Sequence, residues 1–380
     1  MKILHVITTL DVGGAEMHIL TQVRGQCARG HQVRVAYLKG EGRLASDFRE
    51  AGAEAILPIG SGPFSIFKLF GPIGWADIVH SHLLKADALT AVAVTLRGKR
   101  RHAISGKHND ERALLNSWVS RVHGILGNLP ARTIALSDHV SRFVQQHGRV
   151  RPERMRRVYY GIDPTPWEAA GDSRADGTDR HDVRAEFGFP DDAFVFTCVA
   201  RFAPQKAHEI LLQALERARQ DPAIGSRLRL LLVGDDPFGD GRQKAEAEAR
   251  RLGLGDACVF AGIRRDVPRL LAASDVFAMA SRWEGLGLVF LEAMAVGMPV
   301  LSTNVSAIPE VVVDGETGRL VPPDDASALA TGMLELAGDP ELCDTWSRAA
   351  RVRVREAFGL DRMVDETLAI YAEVLDGTSR

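Results

Sequence analysis

The chain has 380 residues, a length that predicts two or three domains, and its 46% apolar residues can fill two sizeable cores. Its formal net charge is −2, no apolar run approaches the ~20 residues needed to cross a bilayer, and its four cysteines show neither metal nor redox spacing. We therefore expect a cytoplasmic protein with reduced cysteines. The first residues are too polar for a signal peptide.

The amino-terminal half alternates short apolar runs with helical patterns. A first strand over residues 1–8 leads through Gly13 and Gly14 into a helix that ends near residue 28. Taken alone, the two glycines indicate a turn, because they do not form a Gly-x-Gly-x-x-Gly fingerprint. The alternation predicts a doubly wound parallel sheet. Its further strands are predicted at 32–38, 53–59, 77–81, 102–106 and 133–136.

Histidines near strand ends are candidates for chemistry. His80 and His82 lie on one face of a predicted strand. No third ligand stands at an obvious spacing, so we interpret the pair as structural rather than metal-binding. His108 ends another strand, where it is either a hydrogen-bonded loop residue or a functional one.

The overall charge conceals a strongly basic segment. Residues 97–157 hold 14 basic and 4 acidic residues, next to an aromatic stretch at 63–75. This combination suits peripheral docking on an anionic membrane surface, or an acceptor that carries a diphosphate. Alternatively, the aromatic residues cover the sheet and the arginines only keep the chain soluble. Nucleic-acid binding is not expected, because no recognised binding module accompanies the charge.

A polar, turn-rich stretch separates the two halves of the chain, and Pro164 and Pro166 end the first half. The predicted segments are a first domain at 1–164, a linker at 165–192, a second domain at 193–360 and a last amphipathic helix at 361–380.

The second half opens with a buried strand over residues 194–200. Arg201 and Lys206 follow it in a loop, at the carboxyl end where open α/β sheets bind ligands. Arginine offers phosphate oxygens a two-pronged donor, and lysine offers a point charge. An ordinary solvated loop pair is the alternative.

Further along, an apolar helix begins near Leu286 or Leu288 and stops at Gly297. Unpaired N–H groups in its first turn suit a diphosphate. Gly285 and Gly287 let that backbone approach a ligand closely.

Two acids flank the start of this helix and extend the pattern. Glu284 precedes the helix and can accept hydrogen bonds from hydroxyls beyond the phosphates, whereas Glu292 lies within it and suits a vicinal diol such as a ribose. Eight helical steps between them give roughly 12 Å, too far for a glycosidase acid pair at about 5–9.5 Å. The pattern predicts a nucleotide-sugar site. A core helix with one solvated glutamate is the alternative.

In this order the features resemble the donor domain of the GT-B glycosyltransferases, specifically the large retaining family 4. Two positions depart from the family pattern: Ala207 replaces the glycine that usually follows the lysine, and Ser306-Ala307 replaces a glycine pair. The resemblance runs through Arg201…Lys206, Leu231–Asp235, Ala261-Gly262, Ala273–Asp275, Glu284…Glu292, Gly297–Val300, Ile308–Val312 and Asp314–Val321.

The resemblance implies two Rossmann-like domains facing a central cleft, with the last helix returning to the first domain. It implies that Arg201 and Lys206 bind the donor phosphates, that Glu284 holds the sugar and Glu292 the ribose, and that His108 lies near the reacting sugar. The full set of implied donor-binding residues is Gly13, Gly14, Gly234, Gly262, Arg264, Glu284, Gly285, Leu286, Gly287, Leu288 and Glu292.

From these expectations the chain is interpreted as a retaining glycosyltransferase that uses a UDP- or GDP-linked sugar and a glycan, glycolipid or lipid-linked acceptor. It is expected in the cytoplasm, with a position at the inner face of the membrane left as an alternative, and without a cofactor. No metal is expected either, because the sequence has no Asp-x-Asp triad. The alternatives are a nucleotide-sugar 2-epimerase of the same fold and a non-catalytic protein that binds sugar nucleotides.

Overall fold

The computed structural model describes residues 1–11, 13–62, 64–173, 178–236 and 239–377, apart from the side chains at 178 and 179. The chain divides into two compact units. One comprises Met1–Ile162 with Phe358–Arg380, and the other comprises Asp163–Ala357. Within the predicted segments, residues 174–177 of the linker and 378–380 of the last helix lie outside the described residues.

The first unit is a parallel sheet covered by helices, with strand order β3-β2-β1-β4-β5-β6-β7. Its strands are β1 Lys2–Thr9, β2 Gln32–Lys39, β3 Ala55–Pro58, β4 Ile78–His82, β5 Ala103–Lys107, β6 Arg132–Ala135 and β7 Met155–Arg157. Its helices are α1 Gly14–Ala28, α2 Ala45–Glu50, α3 Ser65–Lys68, α4 Phe70–Trp75, α5 Leu84–Leu96, α6 Ser117–Leu126, α7 Asp138–Gly148 and, from the carboxyl terminus, α17 Leu360–Leu375.

The second unit repeats this arrangement with strand order β10-β9-β8-β11-β12-β13. Its strands are β8 Phe194–Val199, β9 Leu228–Val233, β10 Cys258–Gly262, β11 Val276–Met279, β12 Val300–Thr303 and β13 Gly318–Val321. Its helices are α8 Thr165–Ser173, α9 Thr178–Glu186, α10 His208–Ala218, α11 Gly241–Arg251, α12 Val267–Ala272, α13 Leu288–Val296, α14 Ile308–Val311, α15 Ala326–Gly338 and α16 Pro340–Ala357.

The predicted doubly wound parallel architecture is therefore confirmed in both halves. Strands such as β9 are buried along their whole length, as expected for parallel strands with helices on both faces. In each sheet the strand order reverses once, between β1 and β4 in the first unit and between β8 and β11 in the second. Ligands of open α/β sheets bind at the carboxyl end of such a reversal.

Two segments outside the sheets have a defined place. Residues expected to form a linker instead contribute α8 and α9, and they belong to the second unit. Arg184 of α9 is buried and donates to Asp275 Oδ2 at 2.8 Å and to the Ala193 carbonyl at 2.8 Å. The polar composition suggested a linker because these long-range partners are invisible in the local sequence. Helix α17 packs against α1 of the first unit, where Val364 contacts Gly25 closely enough that a Cβ there would lie 2.5 Å from Val364 Cγ2.

Two further properties concern the helices and the cysteines. Among the described residues, every helix is too short or too polar to traverse a bilayer. The four cysteines are free thiols.

Candidate active site

The reversal point of the second sheet brings together the two loops that carry the predicted donor site. Arg201 and Lys206 follow β8, and Glu284 follows β11, which is the neighbouring strand. Arg282 N donates to the Gln205 carbonyl at 2.8 Å, so the backbones of the two loops are joined directly. Lys206 and Glu284, 78 positions apart in sequence, are thus neighbours at one edge of the sheet.

Glu284 is the most tightly held side chain of this edge. It is only 5% exposed, and its Oε1 accepts hydrogen bonds from Ser281 Oγ at 2.8 Å and from the Lys206 ammonium. Gln205 Nε2 donates to the Trp283 carbonyl at 2.7 Å and more weakly to Glu284 Oε2 at 3.4 Å. A nearly buried carboxylate is stable only when it is paired and hydrogen-bonded, and these contacts hold it in one orientation.

Lys206 is presented by a short turn that ends in an unusual conformation. A 3₁₀ turn over Pro204–Lys206 is followed by Ala207 with φ 47° and ψ 49°, which is left-handed. This is the position where the family pattern has glycine. Left-handed backbone costs a non-glycine residue roughly 1–2 kcal/mol, and Ala207 adopts it while fully buried at the start of α10. The departure from the pattern therefore leaves the geometry of the lysine turn intact.

Arg201 stands at the start of the loop that presents Lys206, just after β8. It is exposed, and its guanidinium forms no hydrogen bond or ion pair with any residue the structure describes.

The strand ends around Arg201 lie close together. A Cβ at Gly234 would lie 1.9 Å from the Ala200 carbonyl oxygen, and Gly234 N donates to the Gly262 carbonyl at 2.9 Å. Gly262 has φ 70°, a conformation that favours glycine. Backbone geometry therefore favours glycine at both predicted positions: close packing against Ala200 at Gly234, and a positive φ at Gly262.

Arg264, which the resemblance places in the donor site, is already ion-paired within the second unit. It forms ion pairs with Asp266 at 2.7 Å and with Glu186. These carboxylates raise the pKa of the Arg264 guanidinium. The Arg264 guanidinium is therefore held in place by carboxylates of its own unit.

Helix α13 begins at Leu288, within the range predicted. Gly287 precedes it with φ 81°, and a Cβ there would lie 2.6 Å from the Phe290 ring. No side chain caps this end of the helix, so its first N–H groups keep their capacity to bind an anion. Gly285 and Leu286 are buried in the loop that leads into it.

Glu292 lies one turn into α13 and is partly buried. Its carboxylate has no hydrogen-bond or ion-pair partner among the described residues. Burial raises the pKa of Glu292 to about 7. An acid that is costly to ionise and has no internal partner is suited to an external one, such as the hydroxyls of a ribose.

We expect Glu292→Gln to stabilise the free protein and to weaken donor binding. Because the folded-state pKa of Glu292 lies above the unfolded value, the wild type loses stability as pH rises from about 4.5 to about 7. The variant should therefore have the larger unfolding free energy above pH 7, and the difference should shrink as pH falls.

The same variant should bind nucleotide-sugars roughly tenfold more weakly, because the donor's hydroxyls lose hydrogen bonds to a charged carboxylate. Denaturant melts across pH and calorimetric titration test the two parts; equal stability at all pH values would contradict the first.

The reversal point of the first sheet carries the other predicted residues. Gly13 has extended backbone and precedes α1, which begins at Gly14. A Cβ at Gly13 would lie 2.5 Å from Glu16 Oε2. The Glu16 carboxylate accepts a hydrogen bond from Thr9 Oγ1 at 2.6 Å. Gly13 therefore leaves room for the Glu16 carboxylate to fold back to Thr9 at the end of β1, whereas a Cβ at Gly14 would meet nothing within 4 Å.

Beside this turn, His108 ends a chain of buried hydrogen-bonded side chains. His5 Nε2 bonds to Gln26 Oε1, His5 Nδ1 to His82 Nε2, and His82 Nδ1 to His108 Nε2, each at 2.9 Å. His108 Nδ1 bonds to the Tyr160 hydroxyl. Burial lowers the pKa of His5 and of His108 to about 4, so the imidazoles are neutral at pH 7.

The chain of bonds has one consistent direction. The Gln26 amide nitrogen donates to Gln22 Oε1 at 3.3 Å, so Gln26 Oε1 must accept from His5 Nε2. His5, His82 and His108 then each carry their proton on Nε2 and accept at Nδ1. Both ring nitrogens of His108 are occupied in this arrangement, so a sugar hydroxyl would have to replace Tyr160 or His82 as its partner. The role implied for His108 stays a prediction.

The histidine pair noted in the sequence has a third member. His5 pairs with His80 across β1 and β4, and ligand atoms of His5, His80 and His82 lie within 4.8 Å of one another. No sequence spacing pointed to this third imidazole, because strand register brings His5 next to His80. Hydrogen bonds occupy both nitrogens of His5 and His82. Metal independence stays a prediction.

We expect Gly106→Ala to destabilise the first unit. A Cβ at this buried position of β5 would lie 2.7 Å from His82 Nδ1, 2.9 Å from His80 Nε2 and 3.1 Å from His108 Nε2. Overpacking of this kind costs about 1–3 kcal/mol. The matched control is Gly71→Ala, where a Cβ meets nothing within 4 Å. Equal thermal stability of the two variants would contradict the packing of the histidine chain.

Several partners of the site residues were missed in the sequence. Gln205 directly precedes Lys206, and Ser281 lies three residues before Glu284. This closeness in sequence could have identified both as partners of the predicted site residues. Gln26 and Tyr160 carry no local signal, because their role depends on which strands and helices meet.

Two doubly wound parallel units, with basic and acidic side chains at the reversal point of the second sheet, define a glycosyltransferase of the GT-B class. The chain belongs to glycosyltransferase family 4, the group 1 glycosyltransferases. Residues 179–353 match the family described as "Glycosyl transferases group 1", and residues 12–165 match "Glycosyltransferase Family 4".

Individual relatives support this assignment. The N-acetyl-alpha-D-glucosaminyl L-malate synthase of Bacillus anthracis is 30% identical over 79% of this chain and 75% of its own length. The D-inositol 3-phosphate glycosyltransferase of Kribbella flavida is 33% identical over 78% of this chain and 71% of its own. The Anabaena protein Alr3699/HepE, solved in complex with UDP, has the same fold, with a TM-score of 0.87 at 23% identity over 98% of this chain and all of that one.

Proposed function

We propose that this glycosyltransferase moves a sugar from a UDP- or GDP-linked donor to a hydroxyl group of a glycan, glycolipid or lipid-linked acceptor, with retention of anomeric configuration. The observation that carries the proposal is the Lys206–Glu284 ion pair at the reversal point of the second sheet, with the exposed Arg201 in the same loop as Lys206. UDP in the structure of the Anabaena protein supports a uridine nucleotide donor. A role in cell-surface polysaccharide or glycoconjugate synthesis follows from such acceptors.

In the proposed mechanism, Arg201, Lys206 and the first turn of α13 bind the diphosphate and stabilise the charge that develops on it as the glycosidic bond breaks. Glu284 accepts hydrogen bonds from sugar hydroxyls and positions the anomeric carbon. The acceptor oxygen attacks from the face that the diphosphate leaves. Its proton passes to an oxygen of the departing phosphate, so that the configuration is retained without a covalent enzyme intermediate.

Charge neutralisation by these groups supports the further proposal that the reaction needs no metal ion. Two cationic side chains and a helix terminus can offset the charge of a nucleoside diphosphate that other enzymes neutralise with a divalent cation. Turnover should therefore persist in excess EDTA.

The proposed function is tested by a thermal-shift screen of nucleotide-sugars, followed by turnover assays with a panel of acceptors. Stabilisation by one nucleotide-sugar and release of its nucleotide only when an acceptor is present would support the proposal. Conversion of the donor sugar without any acceptor would instead indicate an epimerase. Binding without turnover across the acceptor panel would indicate a non-catalytic binding protein.

We also propose that the first unit associates peripherally with an anionic membrane, which suits a lipid-linked acceptor. Phe64 and Phe67 are 72% and 59% exposed, whereas Phe70 packs against the core. The two exposed rings lie beside Lys68 and contact each other at 6.5 Å between centroids. Aromatic side chains beside basic ones favour the membrane interface.

We expect Phe64→Ser with Phe67→Ser to reduce binding to anionic vesicles by about tenfold, since two rings lose their burial in the interface. Co-sedimentation with vesicles measures the change. Val352→Ser, at an exposed apolar position of the second unit, is the control, and equal binding of the variant and the wild type would contradict membrane docking through these rings.

A further inference from the structure

The two basic runs of the first unit meet at the amino edge of its own sheet, where its strands begin. Arg100 and Arg101 lie in the turn before β5, and Arg151 and Arg154 lie in the turn before β7. Both turns enter strands, so they stand at the amino edge of this parallel sheet. The residues expected to bind substrate, such as His108, follow the carboxyl ends of the strands, roughly 17 Å away for five-residue strands.

Between these turns lies a cavity of about 750 Å³. This volume falls in the range of small-molecule sites. Five arginines and a single acid contribute to its wall, namely Arg100, Arg101, Arg132, Arg151, Arg154 and Glu153.

The arginines of this cavity are brought together by fixed backbone contacts. Asn128 Nδ2 donates to the Arg149 carbonyl at 2.9 Å, and Asn128 Oδ1 accepts from Arg151 N at 3.0 Å, so the loop that carries Arg151 is tied to the end of α6. Arg154 Nη1 donates to the Pro130 carbonyl, and both Arg154 and Arg132 reach the Ala131 carbonyl, at 3.5 and 2.9 Å. Two guanidinium groups thus converge on one oxygen atom.

Most of this positive charge has no internal counter-charge. Arg132 is paired with Glu373 at 2.6 Å. In contrast, Arg100, Arg101, Arg151 and Arg154 form no ion pair with any part of the chain that the structure describes. Burial and the neighbouring Arg151, Arg132 and Arg100 lower the pKa of Arg154, as expected when like charges are held together.

We propose that this cavity is an anion site for a compact ligand carrying two phosphate groups, separate from the donor site. Arginine forks bind phosphate oxygens through paired N–H groups, and an anion would relieve the repulsion among the guanidinium groups. The same chemistry is offered by a soluble diphosphate and by the headgroup of a diphosphate lipid. The site does not depend on the glycosyl transfer proposed above, because its residues lie at the other edge of the sheet.

The test uses the full chain and a variant that removes only exposed charges, Arg100→Gln/Arg101→Gln/Arg151→Gln. Its control is Arg24→Gln/Arg49→Gln/Arg121→Gln, which removes the same charge from exposed arginines outside the cavity. Pyrophosphate binding is measured by calorimetry, and co-sedimentation is measured with phosphatidylcholine vesicles with and without cardiolipin, whose headgroup carries two phosphates. Lys206→Ala identifies any pyrophosphate bound at the donor site instead.

We expect the cavity variant to lose at least about tenfold in affinity for one of the two probes, at low ionic strength, while the control variant matches the wild type. Loss confined to pyrophosphate indicates a soluble ligand, and loss confined to cardiolipin vesicles indicates a lipid headgroup. Equal affinities of the cavity and control variants for both probes would overturn the proposal. A second combination of results would also overturn it: Lys206→Ala abolishes pyrophosphate binding entirely, and the cavity variant binds vesicles as well as the wild type does.

Discussion

Lys206→Ala is expected to lower kcat by on the order of 10²–10³, the effect of removing one preorganised donor from a developing negative charge. Lys206 is the ammonium nearest Glu284 at the reversal point of the second sheet. In the proposed mechanism it meets the diphosphate as the sugar departs, when the charge to be stabilised is greatest. Steady-state turnover with saturating donor and acceptor measures the effect.

The control for this variant is Lys244→Ala, which removes an exposed lysine of the same unit that is paired with Asp240. Because Lys206→Ala also leaves Glu284 with less compensation, thermal stability must be compared to separate unfolding from lost chemistry. Near-normal turnover in a folded Lys206→Ala protein would remove this residue from the mechanism.

Glu284→Gln is expected to lower kcat/KM by on the order of 10², since a charged acceptor of two sugar hydroxyls becomes a neutral one. The side chain keeps its size, and Ser281 and Gln205 keep a partner within reach. Turnover with the cognate donor measures the loss. Glu316→Gln, at an exposed position of the same unit, serves as the control.

The two variants should not be additive. Lys206 and Glu284 form one ion pair, so the double variant should lose little more than the more damaging single one. If the losses simply multiply, the two side chains act independently, and the proposal that they form one catalytic unit is wrong.

The parallel sheets of both units were predictable because their strands are short apolar runs separated by helical patterns. Gly287 was also singled out in the sequence, and its φ of 81° is a conformation that favours glycine. Lys206 and Glu284 were identified through the family pattern. Their contact has a physical basis that the sequence shows only indirectly, namely that strands on either side of a reversal point end side by side.

Other features of the site depend on partners that are distant along the chain. The buried imidazoles come from three different strands: His5 lies within β1, His82 ends β4 and His108 follows β5. Gln26 of α1 sets the direction of the hydrogen bonds that join them. Within the segment expected as a linker, α9 is held in the second unit by Arg184, which reaches Asp275, 91 residues away. Nothing in the local composition distinguishes such an arginine from a solvated one.

The amino-acid sequence by itself determined the class of fold, the basic loop after β8 and the two acids before and within α13, because each depends on residues close together in the chain. Only the tertiary structure decided which nitrogen atoms of the histidines are protonated, that Arg264 is already paired, and that two basic runs share one cavity. These properties arise from burial and from contacts between distant segments, whose energies depend on distances in space and not on spacing in the sequence.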